Sequence, residues 1–445
     1  MSLTLPKPQH LQTVFVHIEQ PSSRAHYAIG HVLERMLGWP VEWVGDLEAF
    51  RAADGPRLFY GTAKEPGMFR VHPEGLLNEL GMRLGDPPAL RVEGITALFP
   101  TADGNTGFDV FAAAFWMLSR MEEYAIDTTD DHGRVKTSDL FAARHAFIAV
   151  PAVDEWALWF ARTWREYDER VPQPNRGYSH VFTMDVDNGF AYLGRPWWRI
   201  AGAHLRAVVQ NRTGEMKARH AVLLGRTPDP FDVYTELAQW TEGLADRRII
   251  FWLVAERGKH DHAVPLSFPP LVERIKKTAQ WAETGIHPSY DSLTDGSLIE
   301  RQRAQLASVT GMSVNISRQH FLRSHKGEPY GELERLGVRE DHSMGLHDEL
   351  GFRAGTCTPF KWYDLKGERE TDLVIWPHTV MDNTLRNKLG LTPEEGLTAA
   401  RHMVDKVRAV QGTFIGLWHE SFLSDHLDAK GWRNVIMDIS RYAKA

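Results

Sequence analysis

The sequence predicts an α/β protein of two domains, and three observations carry that prediction. Apolar runs of strand length alternate with helix-length periodic stretches along most of the 445 residues. The segment Val171-Pro172-Gln173-Pro174-Asn175-Arg176-Gly177-Tyr178 concentrates residues that interrupt regular structure, so a boundary is expected there. It divides a smaller α/β domain, residues 1–174, from residues 175–445. Counting glycine and setting tyrosine aside, about 49% of the chain is apolar, within the ~45–50% of globular proteins.

In the first domain, Thr13–Ile18 and Arg57–Tyr60 read as strands, and Ser22–Leu37 as a helix opened by a serine cap. Helical periodicity returns over Phe108–Tyr124 and over Val153–Tyr167, the latter entered after Pro151. Beyond the boundary the rhythm becomes regular. Strands are expected at His180–Met184, Arg248–Val254, Ile286-His287, Ser313–Ser317, Phe352–Ala354, Leu373–Trp376 and Thr413–Trp418. Helices are expected over Pro196–Leu224, Asp232–Leu244, Pro269–Thr284, Leu298–Val309, Tyr330–Leu336 and Pro393–Val410. The last opens with Thr392 and has Glu395 three residues on, a capping-box signature. Such alternation implies a parallel sheet or barrel.

Charge and composition exclude several functions. The net charge is −7, with no basic footprint for nucleic acid. A single cysteine, Cys357, rules out an internal disulfide framework and multi-cysteine zinc modules; it is expected to be buried packing. No stretch approaches the ~18 apolar residues of a membrane span. Met1–His10 does not read as an export signal, so a cytoplasmic location is expected. Gly-x-Gly-x-x-Gly, P-loop and Gly-x-Ser-x-Gly motifs are missing, and His419-Glu420 does not continue as His-Glu-x-x-His. Trp197-Trp198, Trp252, Trp362 and Trp418 are read mainly as core.

The sharpest chemical signal is Thr183-Met184-Asp185-Val186-Asp187-Asn188. Two carboxylates at a strand's C-terminal end repel unless a cation or proton neutralises them. Parallel sheets and barrels place their sites at those ends. An Asp-rich turn before Gly189 gives the same letters. Other strand ends add weight: Gly285-Ile286-His287-Pro288, Ser317-Arg318-Gln319-His320-Phe321 and Gly416-Leu417-Trp418-His419. A mixed Asp/His set suits a catalytic zinc with an open position.

This order of motifs resembles the polysaccharide deacetylase (NodB-homology, carbohydrate esterase 4) family over about Tyr178 to Ala445. It is most similar to a bacterial deacetylase-like branch with an uncharacterised N-terminal domain. Gly351-Phe352-Arg353-Ala354, Met381-Asp382-Asn383-Thr384 and Leu118-Ser119-Arg120-Met121-Glu122-Glu123-Tyr124 share in the likeness. The resemblance implies a distorted, incomplete (β/α)7-like barrel that removes N-acetyl groups from an amino sugar or polysaccharide. It implies Asp185 as general base, Arg318 as the residue orienting it, and His419 as general acid. Asp187 and His287 would hold a divalent metal, zinc by preference. Phe321 would offer a backbone N–H to the oxyanion. Apart from the resemblance, Tyr290, Arg353 and Asp341 are expected to line the substrate pocket, although Glu340–Ser343 and Phe352-Arg353 read equally as a surface ion-pair region.

Two departures bear on the metal. Asp291 stands where the family has its second metal histidine, and His320 stands where it has proline. Pro288 disfavours a continuous helical turn from His287, and a third carboxylate would crowd negative charge, so His320 is expected as the third ligand. The same departures motivate an alternative: a carbohydrate-binding or glycan-assembly protein that keeps the barrel without the reaction. A glycoside hydrolase built on Asp185 and another carboxylate is a weaker reading.

Overall fold

The computed structural model describes residues 12–210 and 212–444. Residues 1–11, read above for an export signal, lie outside them. Short apolar runs build the first sheet: β1 (Val14–Ile18), β2 (Val41–Trp43), β3 (Arg57–Tyr60) and β4 (Phe69–Val71). They pair in parallel in the order β2-β1-β3-β4. Ser22 caps the helix Ser23–Gly30, its hydroxyl accepting from Ala25 N–H, and a π-type turn extends it through Met36. β5 (Ala89–Val92) and β6 (Ile95–Leu98) form a hairpin about Glu93-Gly94, both left-handed.

The helix expected over Phe108–Tyr124 stops at Leu118. Arg120 is left-handed at φ +53°, which breaks the helical ladder, and a 3-10 turn covers Met121–Ala125. That break turns Glu122 and Glu123 inward, where Arg120 donates to both. The helix Ala152–Tyr167 packs its aromatic face beside these elements.

The second sheet has nine strands: β7 (Ser179–Val186), β8 (Arg247–Leu253), β9 (Glu283–His287), β10 (Ile316–Ser317), β11 (Glu340–Asp341), β12 (Phe360–Asp364), β13 (Arg369–Ile375), β14 (Val380–Met381) and β15 (Thr413–His419). Their order is β12-β13-β11-β10-β9-β8-β7-β15-β14, parallel except for the β12–β13 hairpin. No pairing joins β12 to β14 among the described residues, so the sheet does not close into a barrel. The register sets His419 beside Asp185, and His287 beside Leu253 on β8. The C-terminal ends of β15, β7, β9 and β10 thus converge.

Several expectations shift. The helical region Pro196–Leu224 is two helices, Trp197–Val209 and Thr213–Leu223. Phe352–Ala354 is a buried turn, not a strand, because Arg353 pairs with Glu123 there. Cys357 lies in a bend and is buried as expected, and burial pushes its thiol well above the usual range. Trp252, Trp362 and Trp418 are core, but Trp197 and Trp198 are 79% and 54% exposed.

One hydrophobic core runs from the first sheet and the helices Ser23–Gly30, Val110–Leu118 and Ala152–Tyr167 into Phe360, Tyr363, Leu373 and Ile375 of β12–β13. Tyr27 Oη donates to the Lys361 carbonyl, and the Arg24 guanidinium pairs with Glu368. A second core lies between β7, β8 and β15 and the helices Pro393–Ala409 and Trp432–Lys444. Gly285 lets that sheet pack closely: a Cβ there would stand 2.4 Å from the Phe251 ring.

Candidate functional site

A cavity of about 420 Å³ opens at the converging strand ends. Asp185, Asp187, His287, His320, Phe321 and His419 all line it. One ligand atom from each of Asp187, His287 and His320 lies within 4.8 Å of the others. Asp291, the competing candidate, is exposed on the one-turn helix Tyr290–Leu293.

The hydrogen bonds set which atoms of this trio are free. His287 Nδ1 is 2.6 Å from the Arg318 carbonyl, which only accepts, so Nδ1 carries the proton. Nε2 is left with its lone pair toward Asp187 Oδ1, 3.4 Å away. His320 repeats the arrangement: Nδ1 meets Asp261 Oδ1 at 2.8 Å, and Nε2 lies 3.7 Å from Asp187 Oδ1. A carboxylate or carbonyl on the far ring nitrogen is the usual support of a metal-binding histidine. Asp187 Oδ1 is buried with no hydrogen-bond partner among the described residues. Such an oxygen is costly unless a cation or donor meets it. The donor set of one carboxylate and two imidazoles therefore fits a divalent ion. Burial opposes ionisation of Asp187, but His287, His320 and His419 outweigh it and hold the carboxyl well below its ordinary value.

Asp185 sits deeper. Arg318 Nη1 donates to its Oδ1 at 2.7 Å, and Arg318 is itself fully buried. Arg318 Nε donates to the His342 carbonyl at 3.0 Å, and its guanidinium lies 4.4 Å from the Phe251 ring centroid. Gly285 makes room for that ring, so a missing side chain on β9 helps position an arginine after β10.

His419 is held on the opposite wall. Its backbone N–H donates to Asp382 Oδ2 at 2.6 Å, and its Nδ1 meets Asp382 Oδ1 at 2.7 Å. Nε2 points across the cavity, 4.0 Å from Asp187 Oδ2. Burial disfavours the imidazolium, but Asp382, then Asp187 and Asp185, outweigh it and push His419 up to about 10. Glu420 accepts from the N–H groups of Asn188 and Asp187 and so fixes the turn that presents Asp187. Burial, then Asp187, raises Glu420 to about 7.

The remaining candidates separate. Phe321 lines the cavity with left-handed backbone at φ +62°, followed by Leu322 at +56°. Two consecutive non-glycine residues in that region mark a local conformation imposed by its surroundings. Tyr290 is set back, its ring under the Arg323 guanidinium and edge-on to Phe321. Asp341 is not a pocket residue. It is fully buried and accepts from Ser343 N–H and Oγ, because β11 ends beneath the site. Arg353 is likewise interior, forked onto Glu123 by two bonds of 2.8 Å.

Three functional neighbours escape sequence reasoning. Asp382 lies in a stretch noted for its resemblance, but nothing local ties it to His419. Asp261 sits in His260-Asp261-His262 after β8, a strand-end signal of the kind used elsewhere. Arg134 reaches the cavity from the N-terminal segment, and its Nη1 donates to the Phe321 carbonyl.

Comparison with known proteins adds the following. Residues 14–168 match the model of a family of unknown function, DUF7033. No curated protein matches the chain. A Mycobacterium smegmatis structure carrying a polysaccharide deacetylase assignment is 15% identical, with TM-score 0.38 over 60% of this chain and 85% of its own. The polysaccharide deacetylase Bc1974 from Bacillus cereus is 10% identical, with TM-score 0.29 over 58% of this chain and 85% of its own. A mutant CE4 family pseudoenzyme with restored activity is 11% identical, with TM-score 0.26 over 60% and 64%.

Proposed function

We propose that this chain is a divalent-metal-dependent hydrolase that removes N-acetyl groups from an amino sugar or polysaccharide. One observation carries the reading: the Asp187, His287 and His320 donors face one another between an arginine-paired Asp185 and an aspartate-held His419. The motif resemblance supplies the reaction class and the substrate class. It also underlies our reading of the open nine-stranded sheet as an incomplete (β/α) barrel over residues 175–445, with 1–174 as a separate domain.

Asp187, His287 and His320 would hold the ion, zinc by its donor set. When bound, such an ion supplies Lewis acidity and a water that ionises near neutral pH. Asp185 takes a proton from the attacking water, and Arg318 fixes the oxygen that does not receive it. The amide carbonyl gathers negative charge, for which the Phe321 backbone N–H is the candidate donor. His419 enters protonated and gives its Nε2 proton to the departing amine nitrogen, which leaves poorly without it. Asp382 accepts from His419 Nδ1 throughout and keeps Nε2 directed at the cavity.

Metal analysis of the purified chain, with acetate release from N-acetylglucosamine oligomers before and after chelation, tests the reading. Bound zinc and chelator-sensitive acetate release are expected. A chain that binds these oligomers but retains no metal and releases no acetate would support the carbohydrate-binding alternative.

A further inference from the structure

The segment between the strand-end turn at Gly189 and Asp229 has no role in the site described above. Asp229 closes it, its carboxylate accepting from the N–H groups of Ala191, Tyr192 and Leu193. Within it lie the helices Trp197–Val209 and Thr213–Leu223. Trp197, Trp198, Leu205, Val208 and Val209 are each between 54% and 79% exposed. Positions 198, 201, 205 and 208 follow three- and four-residue steps, so Trp198, Ala201, Leu205 and Val208 form one outward stripe. Scattered exposed leucines need no explanation, but a contiguous stripe that holds Trp198 and is flanked by Trp197 and Val209 marks a contact surface.

Charge decides what that surface meets. Residues 190–227 hold seven lysines and arginines and one acid, Glu215, in a chain of net charge −7. Arg206 on this helix and Arg212 just beyond it are exposed. A second copy docked stripe to stripe would bring both sets of cations together, which opposes self-pairing. Tryptophans and aliphatic residues on one face with arginines at its margin match a helix lying in a bilayer interface. Among the described residues no helix is long and apolar enough to cross a membrane, and an interfacial helix does not need to be.

We propose that the helix Trp197–Val209 docks the protein on anionic lipid bilayers, with the tryptophans and aliphatic side chains inserted and the arginines at the headgroups. Arg195 ties this element to the cavity: its Nη2 donates to Asn188 Oδ1, one residue beyond Asp187. Docking therefore anchors the chain within one residue of its metal-site carboxylate. The proposal stands independently of the hydrolase reading.

Co-sedimentation of the full chain with phosphatidylcholine vesicles, with and without phosphatidylglycerol, tests it. Binding to the phosphatidylglycerol vesicles alone, weakening as salt rises, is the expected result. Each basic residue near an anionic surface is worth about fivefold in partitioning, so Arg206→Gln with Arg212→Gln lowers binding about 25-fold. Trp197→Ser with Trp198→Ser lowers it by at least about tenfold, while circular dichroism of these surface variants stays unchanged. No binding to phosphatidylglycerol vesicles, or binding indifferent to both variant pairs, overturns the proposal. So does a wild-type dimer that Trp197→Ser with Trp198→Ser converts to monomer, since the stripe would then be a self-association face.

Discussion

Replacing Asp382 by Asn tests the acid–base assignment at its most specific point. The substitution keeps the shape of the side chain but removes the negative charge that meets His419 at 2.6 and 2.7 Å. His419 stands at about 10 against an ordinary 6.5, a preference for the imidazolium of roughly 5 kcal/mol at ~1.4 kcal/mol per pKa step. Burial pulls the other way, and Asp382 leads the groups that oppose it. Without that charge only Asp187 and Asp185 oppose the burial, and His419 is expected to titrate well below its wild-type value. Above that lowered value the protonated fraction falls about tenfold per pH step, so acetate release at alkaline pH slows in the variant while the wild type still holds its proton. At pH 6 the two proteins differ little. Histidine-labelled NMR of the metal-free chain, with His419→Gln to identify the resonance, reads the titration directly; the pH–rate profile reads its consequence. A wild-type His419 that titrates near 6.5, or one unmoved by Asp382→Asn, would refute the reasoning.

Other expectations follow from the same geometry. His320→Ala should strip the metal while Asp291→Ala retains it, and elemental analysis showing the opposite pattern would return Asp291 to the site. Asp261→Asn, which weakens the support of His320, should lower metal affinity about 10–100-fold in a chelator competition; full affinity would show that this hydrogen bond is idle. Arg353→Met leaves Glu123 buried with only Arg120 and should cost about 3–5 kcal/mol in denaturant unfolding. Burial opposes its charge, but Arg353 and Arg120 hold Glu123 at about 2, so its contribution is present above about 4.5 and lost as pH falls toward 2. Burial lowers His31 and His378 to about 3, and His180 and His342 to about 4. The unfolded chain protonates these first, so stability should decline as pH falls below about 6.5; an unchanged melting temperature between pH 7 and 5 would contradict this.

Strand ends made most of the site legible in the sequence. Asp185, Asp187, His287, His320 and His419 stand out because acids and histidines follow apolar runs, and the parallel register brings those ends together. What stayed hidden has a different cause. Asp382 and Asp261 act on histidines 37 and 59 residues away, and no local pattern encodes such a pairing. Asp341 and Arg353 read as pocket or surface residues because charged side chains beside a motif suggest solvent, whereas both are satisfied inside, by Ser343 and by Glu123. In the fold, short strands such as β10, β11 and β14 were missed or overextended, since two residues carry no periodicity. The Phe108–Tyr124 helix failed at Arg120, where three-dimensional pairing outcompeted local propensity.

The way β12 and β13 lean on the N-terminal helices has a practical corollary for anyone dissecting this chain. A cut at residue 174 would strip Phe360, Tyr363 and Leu373 of their cover and leave Arg353 without Glu123. The downstream fragment would then present an oily flank and an unmatched interior cation, a recipe for inclusion bodies rather than a minimal enzyme. The family model over residues 14–168 thus takes in about a third of the chain and leaves out the β12–β13 surface that its helices cover.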